Sequence, residues 1–173
     1  MLPLLAICFA SCNKEPAGNG EGTELSGDDV IPFKDPNFLE ALLSENADAD
    51  GDGQITVDEA KAVESLSVGQ YDIKEMSEIQ YFTALEELHC YDNQLTALDV
   101  SKNTALTYLN CQGNQLTALD VSNNMALTAL DCPNNQLTAL DVGNNTALAF
   151  LSCGNNQLTA LDVSNNMALT ALD

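Results

Sequence analysis

The feature that most constrains this chain is a block of 21 residues that recurs without interruption in its second half. Residues 95–115 read LTALDVSKNTALTYLNCQGNQ, residues 116–136 read LTALDVSNNMALTALDCPNNQ, and residues 137–157 read LTALDVGNNTALAFLSCGNNQ. A fourth copy begins at Leu158. A unit this short cannot bury its apolar side alone, so each copy must stack on its neighbours. The repetition therefore predicts a stacked repeat array over residues 85–173.

Each copy contains the pattern L-x-x-L-x-C-x-x-N, for example Leu106, Leu109, Cys111 and Asn114. This is the signature of a leucine-rich repeat with Cys at the third apolar position. Leu109 and Cys111 alternate inward along a short strand, and neighbouring strands pair in parallel about 4.8 Å apart. The predicted fold is an α/β repeat solenoid in which five strands form a curved parallel β-sheet.

Three further residue types recur with the same period of 21. The cysteines are Cys90, Cys111, Cys132 and Cys153. Their long spacing places one thiol in each repeat and differs from the spacing of zinc-binding cysteines. We expect them to pack as small buried hydrophobes, a redox or metal role being the alternative. The asparagines Asn93, Asn114, Asn135 and Asn156 are expected to satisfy backbone groups where the chain leaves each strand.

A column of aspartates also follows the repeat. Its members are Asp99, Asp120, Asp141 and Asp162. A second metal site is one interpretation of this column. The other, which we favour, is a solvated face or a turn-capping position.

The most specific motif precedes the repeats and runs from Asp48 to Glu59, DADGDGQITVDE. It matches the twelve-residue EF-hand calcium loop at each position that carries chemistry. The six predicted ligands are Asp48, Asp50, Asp52, Gln54, Thr56 and Glu59. Gly53 permits the sharp turn, and four carboxylates this close repel one another unless a cation is bound. Since only one such loop is found and EF-hands usually pair, we predict a weak, structural Ca²⁺ site.

Helices are predicted on both sides of this loop. Asp35 is a good N-cap followed by Pro36, and the first helix should end near Glu45 or Asn46. The second is predicted from about Val57 through Leu66. Residues 33–84 would thus form an EF-hand-like helical cap and a degenerate first repeat. The apolar residues of that repeat are Ile73, Met76, Ile79 and Phe82.

The period of 21 and the cysteine in each repeat resemble the internalins, and among them the subgroup with cysteine-bearing repeats. In that family an EF-hand-like helical cap precedes the repeats, and residues 33–84 occupy that place here. The resemblance covers about four-fifths of the chain. It implies that the cap covers the open apolar end of the first repeat. The chain departs from the family in keeping the calcium ligands, which the family's caps have generally lost.

The N-terminus resembles that of a bacterial lipoprotein. Residues 2–10 form an apolar run too short to span a bilayer, as in a signal peptide. Phe9-Ala10-Ser11-Cys12 resembles a lipobox, with Cys12 as the acylated residue. We predict a signal peptide and lipobox at 1–12, a disordered linker at 13–32, and a lipid-anchored protein of the cell surface or outer membrane in the Bacteroidota. An ordinary cleaved signal is the alternative.

Charge excludes several partners. The chain has 26 acidic residues against five lysines and no arginine, giving a formal charge of -21. Nucleic acid and anionic lipid surfaces both require clustered cations, so neither is an expected partner. No transmembrane helix is predicted, and the lipid would be the only attachment to a membrane.

The concave strand face remains as the predicted binding surface. Side chains held on a rigid sheet suit recognition of a protein or a glycan without enzymatic chemistry. The candidate ligand-binding residues are Tyr91, Tyr108, Asn110, Asp131 and Phe150. The alternatives are a carbohydrate-associated accessory protein that uses the calcium loop as a dockerin-like docking element, or a fragment of a larger enzyme or adhesin. We expect a truncated array, because the sequence stops at Asp173, one residue before the next cysteine.

Overall fold

The computed structural model describes residues 24–173, and its main feature is a parallel sheet with one short strand from each turn of a solenoid. The strands are β1 Ser65–Ser67, β2 Glu87–His89, β3 Tyr108–Asn110, β4 Ala129–Asp131, β5 Phe150–Ser152 and β6 Ala171–Leu172. They are ordered along the sheet as they are along the chain, and every neighbouring pair is parallel. The predicted leucine-rich-repeat solenoid is confirmed, with six strands rather than five in this range.

The sheet register stacks identical residue types into columns. Leu88, Leu109 and Leu130 pair in successive strands and are fully buried. Further columns of leucine, valine and cysteine continue the same core on the inner side of each turn. Because each repeat presents its apolar side chains at equivalent positions, the core is a continuous aliphatic column along the solenoid.

Two columns of asparagine, buried except for the half-buried Asn156, connect consecutive turns. In the predicted column, the Asn114 side chain donates to the carbonyl oxygens of Cys90 and Cys111, both at 3.0 Å. In a second column, Asn124 donates to the carbonyl oxygens of Val100 and Asn103 at 3.0 and 2.8 Å. The second column comprises Asn103, Asn124, Asn145 and Asn166, all buried. The carbonyl groups that these asparagines bind lie in irregular backbone and have no partner from a helix or a strand. Without the asparagine side chains, the Cys90 and Cys111 carbonyls would be buried with no hydrogen-bond donor.

Helix α1 spans Pro36–Ser44 and follows the predicted start. The Asp35 carboxylate caps it by accepting from the Asn37 amide at 2.9 Å. Phe38 and Leu42 are fully buried, and the Phe38 ring lies 6.3 Å from that of Phe82 in the first repeat. The apolar face of α1 is therefore covered by the repeat array.

Helix α2 spans only Val57–Ala62, so the prediction that it continues through Leu66 is wrong. Val63 is already extended, and Leu66 lies at the centre of β1, paired with Leu88. The amides of Glu86 and Glu87 donate to the carbonyl oxygen of Glu64 at 2.7 and 3.1 Å. Parallel pairing to the next repeat thus replaces a further helical turn. A 3₁₀ helix, Ser77–Tyr81, completes this first repeat.

The segment before α1 pairs with the calcium-loop sequence. Val30 forms an antiparallel bridge with Thr56, and Ile31 is buried with 2% exposure. The predicted disordered linker over 13–32 is therefore wrong for its described part, because these residues add an extended strand-like partner to the loop. The predicted signal peptide, Cys12 and the first part of the linker lie outside the described residues. In residues 24–173, no helix has the length and apolar character needed to cross a bilayer.

Candidate functional site

The calcium-loop sequence brings three of its six predicted ligands together. Carboxylate oxygens of Asp48, Asp50 and Asp52 all lie within 4.8 Å of one another. The amides of Gly51 and Gly53 donate to Asp48 at 2.7 and 2.8 Å, which folds the loop around that carboxylate. Gly51 and Gly53 have φ of +76° and +85°, a backbone conformation that favours glycine.

The other three predicted ligands are close in sequence but make different contacts. The Glu59 carboxylate accepts from the Ala49 and Thr56 amides, both at 2.8 Å, which directs it to the loop and completes a capping box for α2. The Thr56 hydroxyl donates to Glu59 at 2.8 Å, and the Gln54 side chain donates to Asp52 at 3.1 Å. Glu59 is outside the cluster of three carboxylates in this arrangement.

The electrostatics of the loop agree with a cation site. An amide hydrogen bond from Asp52 would lower the pKa of Asp50, but the charges of Asp52, Glu59 and Asp48, together with some loss of hydration, outweigh it and raise that pKa. Hard oxygen donors in this number suit Ca²⁺. The residues therefore fit the ion, since three carboxylates converge and a fourth is held beside them by the Ala49 amide.

The strand face is defined here as the side chains at the first and third positions of each strand and the fifth position just beyond it. Tyr108 is half-buried, and its ring centroid lies 4.9 Å from that of His89 on the neighbouring strand. Phe150 is 37% exposed. Asn110 and Asp131 are half-buried at the third strand position. The structure thus places four of the five predicted binding residues on two adjacent rows of one face.

Tyr91 makes a contact with the preceding turn that its own repeat does not reveal. A Cβ built on Gly69 would lie 2.7 Å from the Tyr91 ring, so this ring rests directly on the Gly69 backbone of the preceding turn. Tyr91 is half-buried, as Tyr108 is, and lies at the fifth position of the strand face, so it stays a predicted ligand-binding residue. The sequence feature that indicates this contact is Gly69, which stands at the fifth position of the first turn, the position that Tyr91 occupies in the next turn.

The aspartate column caps turns. Asp99, Asp120 and Asp162 each accept a hydrogen bond from the amide two residues later, at 2.8 to 2.9 Å. Asp141 does the same with Gly143 at 2.9 Å. The favoured turn-capping interpretation is confirmed.

The cysteine column is buried in the core, as expected, and its four thiols are free. Burial raises the pKa of Cys90 and of Cys132 to about 12. His89 lies on the strand face while the adjacent Cys90 is fully buried, so the two side chains point to opposite sides of the sheet. These thiols therefore contribute packing.

Comparisons with known proteins agree with this geometry. Residues 83–124 match the family described as Leucine Rich repeats (2 copies). The functional domain of InlJ from Listeria monocytogenes, which includes a cysteine ladder, is 40% identical with a TM-score of 0.77 over 82% of this chain and 31% of that one. The chain is a leucine-rich-repeat protein similar to the internalins.

Two further structures share the fold. The internalin InlF from Listeria monocytogenes has a TM-score of 0.62 at 22% identity, over 81% of this chain and 49% of that one. A leucine-rich-repeat protein of Leptospira interrogans has a TM-score of 0.53 at 29% identity, over 57% of this chain and 27% of that one. This internalin-like chain spans less than half the length of each of these three structures. No curated protein matches it in sequence.

Proposed function

We propose that this protein is a non-enzymatic surface module that binds a protein or glycan ligand on its strand face. The observation that carries the proposal is the exposure of Phe150 in the same row as the half-buried Tyr108, two strands away on a rigid parallel sheet. Aromatic rings held on a rigid surface are frequent energetic centres of interfaces. Leucine-rich-repeat proteins of the internalin type are typically binding proteins, which supports the same assignment.

The cap has a structural part in this proposal. Ca²⁺ bound by Asp48, Asp50, Asp52 and Glu59 would offset about half of the negative charge of these four ligands and fix α1 and α2 against the first repeat, with Gln54 and Thr56 as the remaining ligands. The contact between Phe38 and Phe82 favours this role over a dockerin-like docking element, because docking would require the apolar face of α1 to be free.

The binding test uses two variants that remove an exposed apolar side chain of similar size. Phe150→Ala truncates a ring on the strand face, and Met125→Ala truncates a side chain that is 67% exposed outside the strands. The purified protein is applied to a panel of immobilised collagen, fibronectin and laminin and to a printed glycan array. Signals of the wild-type protein that Phe150→Ala weakens by about tenfold and Met125→Ala leaves unchanged support the strand face. Equal signals for the wild type, Phe150→Ala and Met125→Ala contradict binding at the strand face.

Surface attachment through Cys12 is a separate part of the proposal. It is supported by the lipobox-like residues 9–12 and by an apolar run that is too short to span a bilayer. Cys12→Ser in the precursor should move the protein from the membrane fraction to the soluble fraction, because stable attachment requires acyl chains. Retention of the variant in membranes contradicts lipid anchoring.

A further inference from the structure

Carboxylates and aromatic rings alternate along the strand face. Glu87 lies on β2 and Asp131 on β4, and Asp173 follows β6 directly. The strands between them carry the rings of Tyr108 on β3 and Phe150 on β5. Because neighbouring strands lie about 4.8 Å apart, Asp131 and Asp173, which share the third row, are separated by about 10 Å, and Glu87, which lies in the first row, is about 12 Å from Asp131 along the diagonal.

The strand face carries negative charge without a lysine or arginine side chain, and its one histidine, His89, is counted as neutral at pH 7. The lysines of the described range all lie outside the strands; they are Lys34, Lys61, Lys74 and Lys102. The one ion pair within residues 24–173 joins Lys34 to Glu75 at 2.9 Å, in the cap and first repeat. The carboxylates of the face are therefore available to a cation from outside.

The local electrostatics show that these carboxylates act on the same surface. Burial raises the pKa of Asp131, and the charge of Asp173 raises it further, against a hydrogen bond from Ser152 that lowers it. Burial also raises the pKa of Tyr108, and the charges of Asp131 and Glu87 add to that effect. The Tyr108 ring thus lies in the field of both neighbouring carboxylates.

Spacing and desolvation decide which ligand chemistry suits this face. Ca²⁺ ligands lie 2.3 to 2.6 Å from the ion, so carboxylates about 10 Å apart cannot share one. A neutral ligand would cover the carboxylates without supplying a counter-charge, which leaves their desolvation uncompensated. A Lys or Arg side chain pairs with a carboxylate and also interacts favourably with the faces of Tyr and Phe rings.

The charged part of the face is also narrow. Its carboxylates and the rings of Tyr108 and Phe150 all lie in the first and third rows, which are about 7 Å apart, less than the 10–12 Å diameter of a helix. An extended segment fits better, and three residues of polyproline II cover about 9 Å, close to the separation of about 10 Å between Asp131 and Asp173. Proline-rich segments dock on aromatic-lined surfaces by the same geometry.

We infer that the strand face binds an extended polypeptide segment rich in Lys or Arg, which lies across the strands. Its cationic groups pair with the carboxylates, and its apolar parts pack on the two rings between them. This inference rests on the proposed binding function and names the chemical class of its partner.

The test uses two synthetic peptides with the same backbone, four repeats of Lys-Pro-Pro and four repeats of Gln-Pro-Pro. Binding is measured by calorimetry with the wild-type protein and two double variants. Glu87→Gln with Asp131→Asn removes two charges from the strand face, whereas Asp99→Asn with Asp120→Asn removes two charges outside the strands. Asparagine still caps the turns at the second pair, so the fold is kept.

We expect the lysine peptide to bind and the glutamine peptide to bind at least about tenfold more weakly. The strand-face pair should weaken lysine-peptide binding by about tenfold or more and the outside pair by less than about twofold. Equal losses in both pairs would mean that the overall negative charge attracts the peptide, which overturns the inference.

The two proposals can fail separately. Absence of lysine-peptide binding, with panel binding that still depends on Phe150, refutes the cationic partner and leaves the strand-face function intact. Absence of both refutes the function itself.

Discussion

The backbone N–H of Ile31 donates to the carbonyl oxygen of Ile55 at 2.9 Å, inside the calcium-loop sequence. The Val57 amide donates in return to the carbonyl oxygen of Asp29 at 3.0 Å. EF-hand loops usually pair with a second loop, and here the segment 29–31 takes that place on the second half of the loop. An unpaired loop is thus braced by its own chain.

The first prediction tests this brace. Ile31→Pro removes the N–H donor and should lower the free energy of unfolding by about 1 to 3 kcal/mol and raise the Ca²⁺ concentration needed for half-saturation. Val30→Ala is the control, because it shortens an exposed side chain in the same segment and keeps every amide. Calorimetric Ca²⁺ titration and chemical denaturation provide both values. Unchanged Ca²⁺ binding in Ile31→Pro would show that residues 29–31 do not contribute to the calcium site.

The second prediction concerns the ion itself. Millimolar Ca²⁺ should raise the melting temperature and EDTA should reverse the change, because an ion that binds only the folded state at 100 times its Kd adds about 2.7 kcal/mol. Asp48→Ala or Glu59→Ala should remove the difference. Asp58→Ala is the matched control, since Asp58 is an exposed carboxylate of the same segment that is not a predicted ligand. A wild-type melting curve that ignores Ca²⁺ rules out the proposed site.

The third prediction concerns the cysteine column. Burial raises the pKa of Cys90 to about 12, so very little reactive thiolate exists at pH 8. A thiol reagent should label Cys90, Cys111 and Cys132 only after denaturation, and Cys153, which is 8% exposed at the last described cysteine position, should react first. Mass spectrometry of the labelled peptides gives the order. Rapid labelling of all four in the folded protein contradicts the inward assignment.

The repeats were predictable because each buried column corresponds to a residue type that recurs every 21 positions in the sequence. Leu109 and Cys111 repeat at a fixed interval, so their inward direction follows from strand alternation alone. Sequence pattern predicts a helix at Leu66 because its turn is degenerate: it has Val68 where later repeats have Cys and is one residue longer than they are. Pairing with Leu88 places Leu66 in a strand instead of a helix, and the local sequence pattern carries no information about this tertiary contact.

The calcium loop was predictable in identity but less so in arrangement. The ligand spacing of Asp48, Asp50 and Asp52 is a local property, and those three carboxylates do converge. The hydrogen bond between Ile31 and Ile55 joins residues 24 positions apart. No motif in the Gly- and Asp-rich stretch before Ile31 predicts a strand there. The burial of Tyr91 was also not predictable from its own repeat, because its ring rests on Gly69 in the preceding turn.

The last prediction concerns Asp35, which joins the cap to the first repeat. Its carboxylate caps α1 and accepts from the Lys74 and Glu75 amides at 2.6 and 3.1 Å. Burial alone would raise the pKa of Asp35, but the hydrogen bonds from the amides of Lys74, Asn37 and Glu75 outweigh it and hold the pKa below its ordinary value of 3.8. The folded state therefore favours the ionised form, so this contribution to stability is fully present above pH 3.8 and is lost as the pH falls through the lower folded value.

Asp35→Ala should accordingly lower the free energy of unfolding by about 1 to 3 kcal/mol at pH 7, through loss of the N-cap and of the acceptor for two amides. The difference between wild type and Asp35→Ala should stay constant from pH 7 to about pH 3.8 and shrink as the pH falls further, because acid then removes from the wild type the charge that the variant already lacks. Asp28→Ala is the control, since Asp28 is an exposed carboxylate of the preceding segment. Urea denaturation at a series of pH values measures the difference directly. A gap between the two proteins that stays constant down to pH 3 would show that Asp35 contributes through its shape and not through its charge.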